Sequence, residues 1–162
     1  MLTNYWSKLM EIKKVNTTDQ DFNRLVRMLD KTLANFNNDI QITEKNEYHV
    51  FNSVTDLSDA YVAYNVYQAI GCVATKHYCT GVLEIKRLFV NLTARGNGIA
   101  TKLINKLESQ AYSDGYTKLI VETGKNNTNA IRLYTKMNYQ VVDNYSPYDG
   151  LSNSVCMSKK LL

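Results

Sequence analysis

Apolar positions along the chain change their period several times, and each change marks an element. Phe22, Leu25, Val26, Leu29 and Leu33 recur at helical spacing behind the polar starters Thr17, Thr18 and Asp19, which predicts a helix over 19–35. Residues 9–15 alternate and read as a first strand, whereas 35–46 is polar and asparagine-rich and reads as a loop. Two strands over 59–67 and 70–79 meet at a short turn, Gln68-Ala69. Gly71 inside the second signals a bulge or a close backbone contact. A nearly continuous apolar run over 118–122 predicts a buried strand, preceded by a helix that ends at Gly115. A short helix over 128–137 and strands over 139–143 and 155–160 complete the set, with Pro147 in a tyrosine-rich loop.

The run Val82–Val90 breaks its own pattern. Ile85 and Leu88 are both apolar but an odd number of residues apart, so a regular strand would place them on opposite faces. Either a β-bulge near Lys86-Arg87 resets the alternation, or the strand is buried on both faces.

After this run the period becomes helical. Ala100, Leu103, Ile104, Leu107 and Ala111 form one stripe, with Lys102, Lys106 and Glu108 off it. Between strand and helix lies Arg95-Gly96-Asn97-Gly98-Ile99-Ala100. A strand, a glycine turn and a helix start make an anion site. The first helical N–H groups lack internal partners, and glycine lets the backbone come close. The Walker pattern is absent, and the dinucleotide fingerprint lacks its third glycine, Thr101 following Ala100. On these residues alone, a glycine turn opening an ordinary surface helix stays open as well.

The segment from Arg95 to Ala100 fits Arg/Gln-x-x-Gly-x-Gly/Ala, and here the chain resembles the GNAT N-acetyltransferase family. Three further segments carry the resemblance. Residues 84–90 resemble its fourth strand. Residues 127–139 resemble its Asn-x-x-Ala-x-x-Leu-Tyr-x-Lys-x-Gly-Tyr/Phe block. Residues 144–150 with 154–157 resemble the tail of a bacterial subgroup of small acetyltransferases. The last half of the chain carries the likeness strongly, residues 1–70 loosely.

The resemblance implies one domain over 1–162 with an α/β fold, a largely antiparallel mixed sheet holding a splayed parallel pair, flanked by helices. It implies acetyl-coenzyme A as co-substrate. The turn Arg95, Gly96, Asn97, Gly98, Ile99, Ala100 and Thr101 would hold the pyrophosphate, and the strand end Leu88, Phe89 and Val90 the pantetheine arm. Asn127 matches the asparagine that touches that arm, although it could equally be only a helix cap. Tyr134 matches the tyrosine that protonates the departing thiolate, and Glu84 the base that deprotonates the amine. A carboxylate in an apolar strand tends towards a raised pKa, which suits a base. A strand-end carboxylate paired with Lys86 or Arg87 is the alternative for that residue. The implied reaction is direct acetyl transfer, in a ternary complex, to a primary amine of a small molecule or amino acid. A covalent route through Cys156 is the lesser alternative. A catalytically silent acyl-coenzyme A sensor and a peptide N-acetyltransferase are the rivals. Asn138 departs from the family glycine, but asparagine is the next best residue for a left-handed helix cap.

Composition narrows this little. The 162 residues suit one core. The net charge of +4 forms no basic stripe, which argues against nucleic acid and suits a phosphate-rich ligand. Cys72, Cys79 and Cys156 show neither a disulfide framework nor a metal spacing, so free buried or half-buried thiols and no metal are expected. No apolar stretch has the length of a membrane span and no signal segment opens the chain, so the cytoplasm is the expected site. A homodimer is compatible with all of this.

Overall fold

The computed structural model describes residues 10–36, 55–66 and 68–162. The elements are β1 (Glu11–Val15), α1 (Gln20–Phe36), β2 (Asp59–Tyr64), β3 (Ala69–Cys79), β4 (Val82–Val90), α2 (Ile99–Ser113), β5 (Lys118–Gly124), α3 (Thr128–Lys136), β6 (Gln140–Val142) and β7 (Ser154–Lys160). They build a seven-stranded sheet ordered β1-β2-β3-β4-β5-β7-β6. Only β4 and β5 pair in parallel among the described strands. The mixed α/β class follows as expected.

Period-2 alternation places two apolar layers on the sheet. One face carries Ala60, Val62, Cys72, Ala74 and Phe89, covered by Phe22, Leu25 and Val26 of α1. The other carries Tyr61, Ala63, Val73, Leu83, Ile85, Leu119, Val121 and Met157, covered by Leu103, Ile104, Leu107 and Ala111 of α2. Each fully buried leucine or isoleucine contributes about 1.5–3 kcal/mol. Helix ends are set locally. Gly115 and Asn138 both adopt left-handed backbone, with φ of 87° and 67°. Tyr116 and Tyr139 then donate back to the carbonyls of Ala111 and Tyr134, each at 2.9 Å, which satisfies the terminal carbonyls.

Several sequence expectations shift. The strand expected over 59–67 stops at Tyr64, because Asn65 makes the turn itself. Its side-chain oxygen accepts from the Gln68 N–H at 2.8 Å, and its own N–H donates to the Gln68 carbonyl at 3.0 Å. Cys79 is exposed, not buried or half-buried, because the end of β3 projects beyond the helix-covered sheet. Cys72 and Cys156 are buried and free. Leu9, Tyr67 and most of the loop expected over 35–46 lie outside the described residues.

Both readings of Val82–Val90 hold. In the β3–β4 ladder the partners pass from Cys72↔Phe89 to Ala74↔Lys86, so Val73 alone opposes Arg87 and Leu88. Arg87 takes a φ of 58° there. This is a bulge, and it puts Ile85 and Leu88 on the α2 side with Phe89 on the α1 side. The strand is also buried along most of its length. Gly71 lies beside the bulge. A β-carbon on it would come within 3.0 Å of the Phe89 carbonyl and 3.2 Å of Ile99, so the close contact read from its sequence position is present.

Candidate active site

The turn after β4 has the geometry of an anion cradle. A single 3-10 turn, Leu92–Ala94, leads into Arg95, whose Nε donates to the Val90 carbonyl at 2.9 Å. The Asn97 amide donates to the carbonyls of Ala94 and Arg95 at 3.0 and 3.2 Å, which stiffens the loop. Gly96 and Gly98 have φ of 79° and 73°, and among the described residues nothing lies within 4 Å of where their β-carbons would stand. Gly98 is the N-cap of α2. It supplies no side-chain acceptor, and the first turn holds no acidic residue. The other two α-helices among the described residues are capped by side chains. Asp19 accepts from the Phe22 N–H at 2.9 Å, and Asn127 from the Ala130 N–H at 3.2 Å. The leading N–H groups of α2, those of Ile99, Ala100 and Thr101, precede its first hydrogen bond, from Lys102 to Gly98. They carry the positive end of the helix dipole towards open space.

Beside this cradle the sheet opens. Parallel pairing of β4 with β5 ends at Ile85↔Val121, although β4 continues to Val90 and β5 to Gly124. The bulge at Arg87 sits where the strands part. Leu88, Phe89 and Val90 continue β4 beyond that point. The glycine turn follows β4 and Asn127 follows β5, so both leave the C-terminal ends of adjacent parallel strands and flank one opening. Asn127 uses its side-chain oxygen as the helix cap, a bond that does not engage its NH2 group. Tyr134, on α3, is buried and packs edge-on to Tyr139 at 5.4 Å between ring centroids. Burial first, and the Glu122 charge second, push its phenol well above the ordinary range.

Glu84 and Lys86 point to the sheet face opposite Leu83 and Ile85. Alternation puts Glu122, Ser154 and Cys156 on that same face. Here the loop between β6 and β7 covers the strands. The hydroxyls of Tyr145 and Tyr148 both donate to Glu84 Oε1, at 3.2 and 3.0 Å. Lys86 Nζ donates to the Tyr148 hydroxyl at 2.6 Å and lies 3.6 Å from Glu84. Burial lowers the Lys86 pKa, with Glu84 opposing. Of the two partners expected for Glu84, Lys86 is therefore present, while Arg87 turns to Asp30 on α1 at 2.7 Å. Glu84 is not at a strand end and is 3 % exposed.

Sequence reasoning missed Glu122. It is half-buried at the C-terminal end of β5, where the cleft opens, and Ser154 Oγ donates to its Oε1 at 2.7 Å. Burial raises its pKa, opposed by Ser154 and Lys86. The available signal was a lone carboxylate ending a run of apolar strand residues. Cys156 is wholly buried, and burial pushes its thiol up to about 11, so it is a poor source of thiolate. Among the described residues no group of three or more His, Cys, Asp or Glu could hold a metal ion. No described helix is long and apolar enough to cross a membrane.

Comparison with known proteins identifies the family and the fold. Residues 23–139 match the model of the acetyltransferase (GNAT) family. An IAA acetyltransferase of Azospirillum brasilense is 36% identical over 81 residues, covering 50% of this chain and 53% of that protein. The chain thus spans about half the length of the curated relatives it matches. A protein of Klebsiella pneumoniae, assigned as an acyl-CoA N-acyltransferase, superposes with a TM-score of 0.78 at 27% identity, over 94% of this chain and 98% of that one. The PaiA N-acetyltransferase of Thermoplasma acidophilum, solved with coenzyme A, superposes with a TM-score of 0.71 at 17% identity, over 93% and 98%.

Proposed function

Because the chain belongs to the acetyltransferase (GNAT) family, we propose that it transfers acetyl from acetyl-coenzyme A to the primary amine of a small molecule, directly and within a ternary complex. The observation that carries this reading is the uncapped N-terminus of α2, set on a glycine turn beside a splayed parallel strand pair. The pyrophosphate of acetyl-coenzyme A sits on the turn from Arg95 to Thr101, against the backbone N–H groups. Pantetheine runs along Leu88, Phe89 and Val90 as an added strand, touched by the Asn127 amide, and the Leu88 N–H faces the thioester oxygen. The relative named for IAA and the PaiA structure with coenzyme A support a small acceptor and this co-substrate.

In the reaction the amine nitrogen attacks the thioester carbon, the C–S bond breaks and coenzyme A leaves as a thiolate. Tyr134 gives that thiolate its proton. Two carboxylates compete for the amine proton. Glu84 fits the family pattern but lies closed behind two phenols, so it reaches an amine only with the tyrosine loop displaced. Glu122 is more open, has one oxygen not engaged by Ser154 and lies within electrostatic reach of Tyr134. We assign the proton to Glu122.

Incubation with acetyl-coenzyme A and a panel of primary amines, followed by free-thiol detection, tests the reading. Amine-dependent thiol release is expected, and Tyr134→Phe should lower it about 10- to 1,000-fold with acetyl-coenzyme A affinity little changed. Binding of acetyl-coenzyme A without release for any amine would favour the silent sensor instead.

A further inference from the structure

The tyrosine loop over 144–151 is a preformed unit. The Asn144 amide donates to the carbonyls of Leu151 and Ser154 at 3.0 and 3.3 Å and so ties its two ends together. Inside it, the Tyr148 N–H donates to the Tyr145 carbonyl at 2.7 Å and the Leu151 N–H to the Tyr148 carbonyl at 3.0 Å. None of its side chains belongs to either apolar cluster of the sheet. Its hold on the sheet is polar and aromatic. Two phenols converge on Glu84 Oε1, Lys86 joins the same network from β4, and Tyr145 packs edge-on to Tyr78 of β3 at 5.2 Å and to Tyr148 at 5.5 Å.

We propose that Glu84 is a positioning residue that latches the tyrosine loop against the sheet and so holds closed one wall of the acceptor site. The specificity for the amine then resides in Tyr145 and Tyr148, which Glu84 fixes in place. A buried carboxylate needs its donors, and both phenols give up their hydrogen to the same oxygen. Loss of the hydroxyls leaves Glu84 paired with Lys86 alone, and the loop loses three charge-assisted bonds to the sheet, two to Glu84 and one from Lys86. A latch made of hydrogen bonds opens at lower cost than a wall of packed aliphatic side chains, because water replaces the broken bonds. The face it covers also carries Glu122, the assigned proton acceptor, so the loop borders the path of the amine. This assignment of specificity rests on the acetyl-transfer reading; the latch itself does not.

The test is hydrogen exchange on the ligand-free protein, comparing wild type with the double variant Tyr145→Phe/Tyr148→Phe, which keeps both rings. Exchange at the amides of 144–151 is expected to quicken about ten-fold or more, with β4, β5 and α2 unchanged. Unchanged exchange in a folded variant overturns the latch, whatever the enzyme does. Should the double variant unfold, Tyr145→Phe alone, at the less buried tyrosine, is measured in the same way with the same criteria. For amines that turn over, the KM for the amine should rise about ten-fold while the KM for acetyl-coenzyme A stays within about two-fold, a split that general destabilisation would not produce. A parallel rise in both overturns the specificity role. Absence of turnover with quickened exchange would instead fault the acetyl-transfer reading and leave the latch standing.

Discussion

The glycine turn after β4 and the tyrosine loop before β7 are built by opposite means. The turn is backbone. Two glycines with positive φ and a helix start without a cap side chain leave N–H groups facing outward, and every residue involved lies within a few positions of the next. The loop is side chain. Its attachment joins Glu84 to tyrosines 61 and 64 positions further along the chain. Only the backbone half is legible in a sequence. A local backbone device has a spacing; a tertiary network of side chains has none.

The strongest separation of the halves comes from Gly98→Asp. It adds a side chain and a negative charge where phosphate would lie, at a φ that aspartate tolerates better than most residues. Acetyl-coenzyme A at about 100 times its Kd should raise the wild-type Tm by roughly 5–10 °C, and this variant should lose the shift entirely. Tyr145→Phe/Tyr148→Phe should keep the shift, because the cofactor half is untouched. Loss of the shift in both variants would merge the two halves into one unit.

The smallest effect concerns stability. Burial holds the Glu122 carboxyl above its unfolded pKa, so the ionised form costs the folded state stability at neutral pH. That cost fades as the pH falls through the raised value towards the ordinary carboxylate range, about 4.3. Glu122→Gln keeps an oxygen for Ser154 and removes the cost. Its Tm should exceed wild type by a few degrees at neutral pH, and the gap should close near about pH 4. A gap independent of pH would mean that packing, not charge, sets the difference.

Legibility follows the same division. Residues 128–137 and the stripe from Ala100 to Ala111 gave their helices because their apolar faces are continuous. The odd spacing of Ile85 and Leu88 exposed the bulge, since alternation is a rule that a single inserted residue breaks visibly. Asn65 deceived because its side chain ends β2 through a local bond that apolar patterning cannot show. Glu84 stood out on family spacing, yet its partners could not be read, because Tyr145 and Tyr148 reach it only once the strands are assembled. Glu122 passed as the end of an apolar run, its meaning set by the parting of β4 from β5 and by Ser154 across the ladder.

Acetyl-coenzyme A is proposed to lie between the β4 turn and α3. Hydrogen exchange of the wild-type protein with and without acetyl-coenzyme A tests it most directly. Protection should appear at the amides of 88–90 and 96–101 and around Asn127, with β1 and β2 unchanged. Tight binding with no added protection at 96–101 would rule out this placement.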